Sequence, residues 1–164
     1  HGNITSLYVS DQLQNIEGIA NFPYLEKFDF HVKNPIDFSP LQRLVYLTHL
    51  GVHGSALYSI DFVKNLPNLI SLDINYSAVK DLSPVSRLTK LETLHISDTD
   101  VSDLAPIGTL QQLKELGIAR TKVSSIRPLS NLPNLEKIYV DKNQDFDWKI
   151  LSSSPKVEIV DSEK

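Results

Sequence analysis

Apolar residues recur along this chain at a fixed interval longer than any single helix or strand period. Leu25, Leu47, Leu69, Leu91, Leu113 and Leu135 stand 22 residues apart without a gap. Three and five positions after each leucine come Phe28 and Phe30, Leu50 and Val52, Leu72 and Ile74, Leu94 and Ile96, Leu116 and Ile118, and Ile138 and Val140. That alternation has period two and is rich in branched residues, so each unit predicts one short strand with a single buried face. A repeat of this length is one turn of a stacked array, because no unit buries its apolar stripe alone.

The rest of each unit is equally regular. Ten positions on stand Pro35, Leu57, Val79, Val101 and Val123, and thirteen on stand Phe38, Ile60, Leu82, Leu104 and Ile126. The pairs Leu41/Leu44, Val63/Leu66, Val85/Leu88, Ile107/Leu110 and Leu129/Leu132 close the pattern. Ser39-Pro40, Ser83-Pro84, Ala105-Pro106 and Arg127-Pro128, with Asp61-Phe62 in the remaining unit, read as N-cap and first-turn residues of a one-turn helix or 3-10 segment. At the eighth position Ser55, Ser77, Thr99, Thr121 and Asn143 offer side chains to the backbone leaving the strand. Lys33 breaks that rule, and with Asn34-Pro35 it predicts an irregular, protruding loop.

The ends depart from the middle. Ile4, Leu7, Val9, Leu13, Ile16, Ile19 and Phe22 fit the template with one residue deleted, and no helical cap precedes them, so the native array is expected to continue upstream. After Asn143 the last unit turns into Gln144-Asp145-Phe146-Asp147-Trp148, where Trp148 is expected to cover the final core layer, and Val157 to Val160 predicts a closing strand. The expected organisation is a single domain: a 21-residue first repeat in 1–24, five regular repeats in 25–134, and a last repeat with its cap in 135–164.

The Leu-x-x-Leu-x-Leu core resembles that of leucine-rich repeats. Ile16-Glu17-Gly18-Ile19 and the Val-x-Asp-Leu-x-Pro-Ile form of Val101 to Ile107 and Val79 to Val85 are similar to the 22-residue repeats of internalin-type surface proteins of Gram-positive bacteria. That resemblance implies an α/β solenoid, a right-handed coil with a concave parallel β-sheet and short 3-10 or helical turns on the convex side. It also implies an exported or cell-surface protein that binds a protein ligand on the concave face. Phosphatase-regulator proteins with 22-residue repeats are similar as well, but they favour Asn where Ser and Thr stand here; they leave a cytoplasmic adaptor as the alternative.

Composition narrows the partner. Twenty acidic residues against sixteen basic ones give a net charge of −4, so no basic field exists for nucleic acid. No window carries the run of about 18 apolar residues that a membrane span needs. Zero cysteines exclude disulfides and thiolate metal sites. The formal sequon Asn3-Ile4-Thr5 has little meaning in a bacterial protein. A monomer is expected, and nothing in the sequence calls for a cofactor.

Candidate partner-binding residues follow from the side of the sheet on which each position falls. The fourth row reads Tyr8, Asp29, Gly51, Asp73, His95, Gly117 and Tyr139; the sixth reads Ser10, His31, His53, Asn75, Ser97, Ala119 and Asp141. The second row includes Lys27, His49, Glu115 and Lys137, and the rim adds Tyr76, Asp98, Arg120 and Lys142. Every histidine but His1 falls here, and Gly51 and Gly117 are expected to leave hollows. Tyr8, Asp29, His31, His49, His53, Asp73, Tyr76, His95, Arg120 and Tyr139 are therefore the candidate interface, with tyrosines and Arg120 as anchors. Two sharper chemistries compete with it: a metal held by His31 and His53 with Asp29, His49 and Asp73 nearby, and a hydrolytic set of Asp73, His95 and Ser97. The residues lack the ligand spacing of zinc motifs and any evident oxyanion hole, so neither a metal site nor an enzyme is expected. A spacer solenoid without a ligand is the remaining alternative.

Overall fold

The computed structural model describes residues 4–142, 144–152 and 157–162. Asn143, His1 and the sequon residue Asn3 lie outside them. Strands β1 (Ser6–Leu13), β2 (Lys27–Val32), β3 (His49–His53), β4 (Ser71–Asp73), β5 (Thr93–His95), β6 (Glu115–Gly117), β7 (Lys137–Val140) and β8 (Glu158–Asp161) form one parallel sheet in sequence order. Across the sheet run 3-10 turns at Glu17–Asn21, Ser39–Arg43, Asp61–Asn65, Ser83–Arg87, Ala105–Thr109, Arg127–Asn131 and Trp148–Leu151. This is the architecture of a leucine-rich-repeat solenoid, with the sheet on its concave side.

Register follows the 22-residue period. Leu50, Leu72, Leu94, Leu116 and Ile138 pair in one inward row, and each is at most 2% exposed. Each coil is tied to the next by a shared carbonyl. Glu26 O accepts the N–H groups of Thr48 and His49, Thr48 O those of Ile70 and Ser71, and Ile70 O those of Glu92 and Thr93, all at 2.8–3.0 Å. Leu25, Leu47, Leu69, Leu91, Leu113 and Leu135 are fully buried where this bonding begins, which fixes register by both apolar contact and backbone satisfaction.

The turns start differently from the sequence reading. Neither Ser39 nor Ser83 caps its turn; each is the first turn residue and donates its N–H and its hydroxyl to the carboxylate two positions earlier, Asp37 and Asp81. Asp103 takes the Ala105 N–H, and Ser59 and Ser125 take those of Asp61 and Arg127. With Asn15 accepting from Glu17, the capping oxygens come from 15, 37, 59, 81, 103 and 125, a polar row with the period of the leucines. Proline removes one orphan donor at the turn start, and this row satisfies another.

The irregular coil also behaves differently. Pro35 is exposed rather than inward, and Ile36 packs against the core in its place. The chain between β2 and the next turn is therefore shifted by one residue. Gly54 lies one coil on at φ 120°, and a Cβ there would collide with the Val32 carbonyl, so only glycine fits beside this loop. In β1 the pairing slips between Val9 and Gln12, so Gln12, not Ser10, lies opposite His31. At the far end Phe146 and Trp148 meet edge to face at 5.4 Å over the last layer, and β8 closes the sheet.

Candidate functional site

The outward rows of the sheet stand where the alternation places them. Asp29 pairs with Gly51, Gly51 with Asp73, Asp73 with His95, His95 with Gly117, and Gly117 with Tyr139. Short strands on rigid, fully packed coils hold these side chains about one strand spacing apart, roughly 4.8 Å. Tyr8 is 71% exposed.

The hollow expected over Gly51 is present but partly filled. A Cβ at Gly51 would collide with the Asp29 carboxylate and meet His53 Nε2, so glycine here makes room for neighbours on the face. His53 bridges two carboxylates, with Nε2 3.4 Å from Asp29 and Nδ1 3.6 Å from Asp73. His95 Nδ1 lies 3.6 Å from the other Asp73 oxygen. The result is an alternating series, Asp29, His53, Asp73, His95, crossing β2 to β5. His31 packs on His53 with ring centres 5.0 Å apart, and His95 meets Tyr139 edge-on at 5.7 Å.

Opposing forces act on Asp73. Burial alone would raise its pKa, but the close His95 imidazole, the Asn75 N–H and His53 outweigh it and hold the carboxyl below its ordinary value. His49, bonded to Thr48 through Nδ1, is pushed down by burial and by Lys27. A shallow hollow of about 280 Å³ remains, walled by Tyr8, Lys27, Asp29, His49, Asp73 and His95.

A second hollow of about 230 Å³ opens over Gly117, between Tyr76, His95, Ser97, Arg120 and Tyr139. Tyr76, Asp98 and Arg120 stand on its rim at φ 60°, 56° and 51°, all in the left-handed region and 22 residues apart. Non-glycine residues adopt that region at a cost, so three in register mark a strained edge. Arg120 spends its guanidinium inside the protein. Nε and Nη2 each donate to Asp98 at 2.7 Å, Nη1 reaches Asp141 at 3.5 Å, and the backbone N–H donates to Asp141. These carboxylates raise its pKa further, and it acts first as a staple across three coils.

The two sharper chemistries find little geometry. Asp73 and His95 are in contact, but among the described residues no hydrogen bond joins Ser97 Oγ to His95; the Ser97 N–H instead donates to Asn75 Oδ1. Among the described residues no group of three or more His, Asp or Glu stands at metal-holding spacing.

Comparison with known proteins places this geometry. No family model and no curated protein sequence matches the chain. Solved structures do. An internalin (inlF) of Listeria monocytogenes superposes with a TM-score of 0.83 at 31% identity, over 96% of this chain and 47% of that one. Internalin C2 (inlC2) of the same bacterium gives 0.71 at 25% identity, over 96% and 80%. This is an internalin-like leucine-rich-repeat solenoid. A plant peptide hormone receptor, RGFR1, solved in complex with RGF2, shares only the fold, with a TM-score of 0.64 at 22% identity over 83% of this chain and 24% of the receptor. The internalin-like chain spans about half the length of inlF.

Within this internalin-like solenoid, Ser162 has no place in the sequence reading, and Asn75, Ser97, Asp98 and Asp141 stand on the face by their spacing but outside the candidate interface. Asn75, Ser97, Asp141 and Ser162 line or brace the second hollow, and Asp98 anchors Arg120. The signal available was spacing: Asp98 and Arg120 are 22 residues apart, hence neighbours on one rung. Among the described residues no helix is long and apolar enough to cross a membrane.

Proposed function

We propose that this chain is a non-enzymatic protein-recognition module that holds a protein or peptide ligand on its concave sheet face, as part of a larger bacterial surface or secreted protein. The observation that carries the reading is the face itself: exposed Tyr8 and half-buried Tyr139, histidines and carboxylates fixed on strands whose opposite side is buried. Preorganised polar and aromatic groups on a rigid support suit recognition, since little ordering is left to do on binding. The internalins supply the likeness for a surface context, and the receptor structure with RGF2 supplies a fold relative that holds a ligand.

The test is site-specific photo-cross-linking in cells producing the full-length protein, with the cross-linker at Tyr139 on the sheet face or at Tyr58, which is 64% exposed elsewhere. A discrete cross-linked partner from position 139 and none from 58 is expected. Equal labelling from both positions, or from 58 alone, would refute the reading.

A further inference from the structure

Charge pairing on the described surface divides into two kinds. Asp61, Glu92, Asp100, and Asp98 with Asp141 are paired with Lys64, Lys114, Lys122 and Arg120, cations that keep their charge at any physiological pH. Asp29 and Asp73 are paired only with imidazoles, although they are 38% and 31% exposed. The fourth and sixth rows of the sheet hold Asp29, Asp73 and Asp141 and no lysine or arginine. Asp141 is already engaged by Arg120, so the uncompensated charge of this face is centred on Gly51.

Resting on the recognition reading above, we propose that the partner presents a basic segment to this face, with a lysine or arginine side chain seated in the hollow between Asp29 and Asp73. The hollow of about 280 Å³ accommodates such a head group, and exposed Tyr8 on its wall offers a ring face for the cation or its stem. The sign of the face excludes a polyanion and favours a polycation, and charge complementarity of this kind sets partner choice and encounter rate. Lys27 on β2 is the fixed cation beside the hollow.

Protons compete with that segment. His49 on β3 and His95 on β5 line the hollow, His53 on β3 lies against its carboxylates Asp29 and Asp73, and His31 on β2 packs on His53; each adds a positive charge when protonated. Carboxylates only accept, so an imidazolium at His53 donates to Asp29 and Asp73 together and takes up the oxygens that the segment needs. Protonation of these imidazoles therefore weakens docking, while Asp73 stays ionised because its pKa is lowered.

A fluorescent oligolysine peptide is the probe, since its own charge does not change between pH about 7.5 and about 5. Its affinity for the chain is read by anisotropy, with folding of each variant checked by circular dichroism. Asp29→Asn with Asp73→Asn is expected to weaken binding about tenfold at the higher pH, the scale of two partly exposed ion pairs. Asp61→Asn, which removes a carboxylate off the face, is expected to change it by less than about twofold. Acidification is expected to weaken the wild type, and His53→Gln with His95→Gln to remove most of that pH dependence. If the double variant misfolds, Asp29→Asn alone carries the test. Unchanged affinity in the aspartate variants, or an equal loss in Asp61→Asn, overturns the proposal; so does unaltered pH dependence in the histidine variant. A partner cross-linked from Tyr139 but indifferent to Asp29→Asn would sink this inference and leave the recognition reading standing.

Discussion

Gly51 and Asp29 occupy one space: the Asp29 carboxylate lies where a side chain at position 51 would begin. Gly51→Ala must turn the partly exposed Asp29 carboxylate aside, so we expect a loss of about 0.5–1.5 kcal/mol, the scale of one side chain forced off its rotamer. Gly18 has nothing within 4 Å, and Gly18→Ala should be close to neutral. Urea unfolding of the two variants makes the comparison; equal stability would mean that the Asp29 contact is dispensable.

Core truncation should depend on position in the stack. Leu94 is fully buried, whereas Leu7 is only partly buried in the first coil. Leu94→Ala is expected to cost about 2–5 kcal/mol and Leu7→Ala clearly less, because an outer layer can relax or be solvated. Chemical denaturation measures both, and a larger loss at Leu7 would contradict this layering.

Stability should fall in acid for an identifiable reason. Asp81 is held below its ordinary pKa by the Ser83 backbone N–H first and the Ser83 hydroxyl second, and Asp73 is also lowered. A depressed folded-state value means that the stabilisation is complete above the unfolded pKa of about 4 and disappears as pH falls through the folded value. Asp81→Ala should therefore lower Tm near neutrality, with the gap from wild type closing below pH about 4. A gap that persists in acid would show that the contribution is not from the carboxylate.

Tyr76 holds a left-handed backbone while 61% exposed. Tyr76→Gly should leave Tm unchanged or raise it, by relief of about 1 kcal/mol of strain, while weakening partner binding. A lower Tm would instead assign Tyr76 a structural role.

The period of the leucines made the coils, the inward rows and the outward rows legible, because stacking forces every repeat into the same register. Side-chain direction within a rung was not legible. The sequence showed Gly51 as a gap, but not that Asp29 and His53 fill it; Arg120 read as an anchor, but not as a staple between Asp98 and Asp141. The capping row of Asp37, Ser59, Asp81, Asp103 and Ser125 was present in the spacing, yet the adjacent Ser-Pro pairs offered a more familiar cap. Pro35 had the apolar spacing but cannot follow the other coils once the loop after Val32 shifts by one.

Calorimetric titration of the partner recovered by cross-linking, against wild type, Asp73→Lys, His95→Glu and Tyr58→Ala, tests the central claim most directly. The account predicts that the two sheet-face variants lose at least about thirtyfold in affinity, as a wrong charge at the centre of an interface should, with the fold retained by circular dichroism and the Tyr58→Ala affinity unchanged. Full affinity in both sheet-face variants would contradict recognition on the concave face.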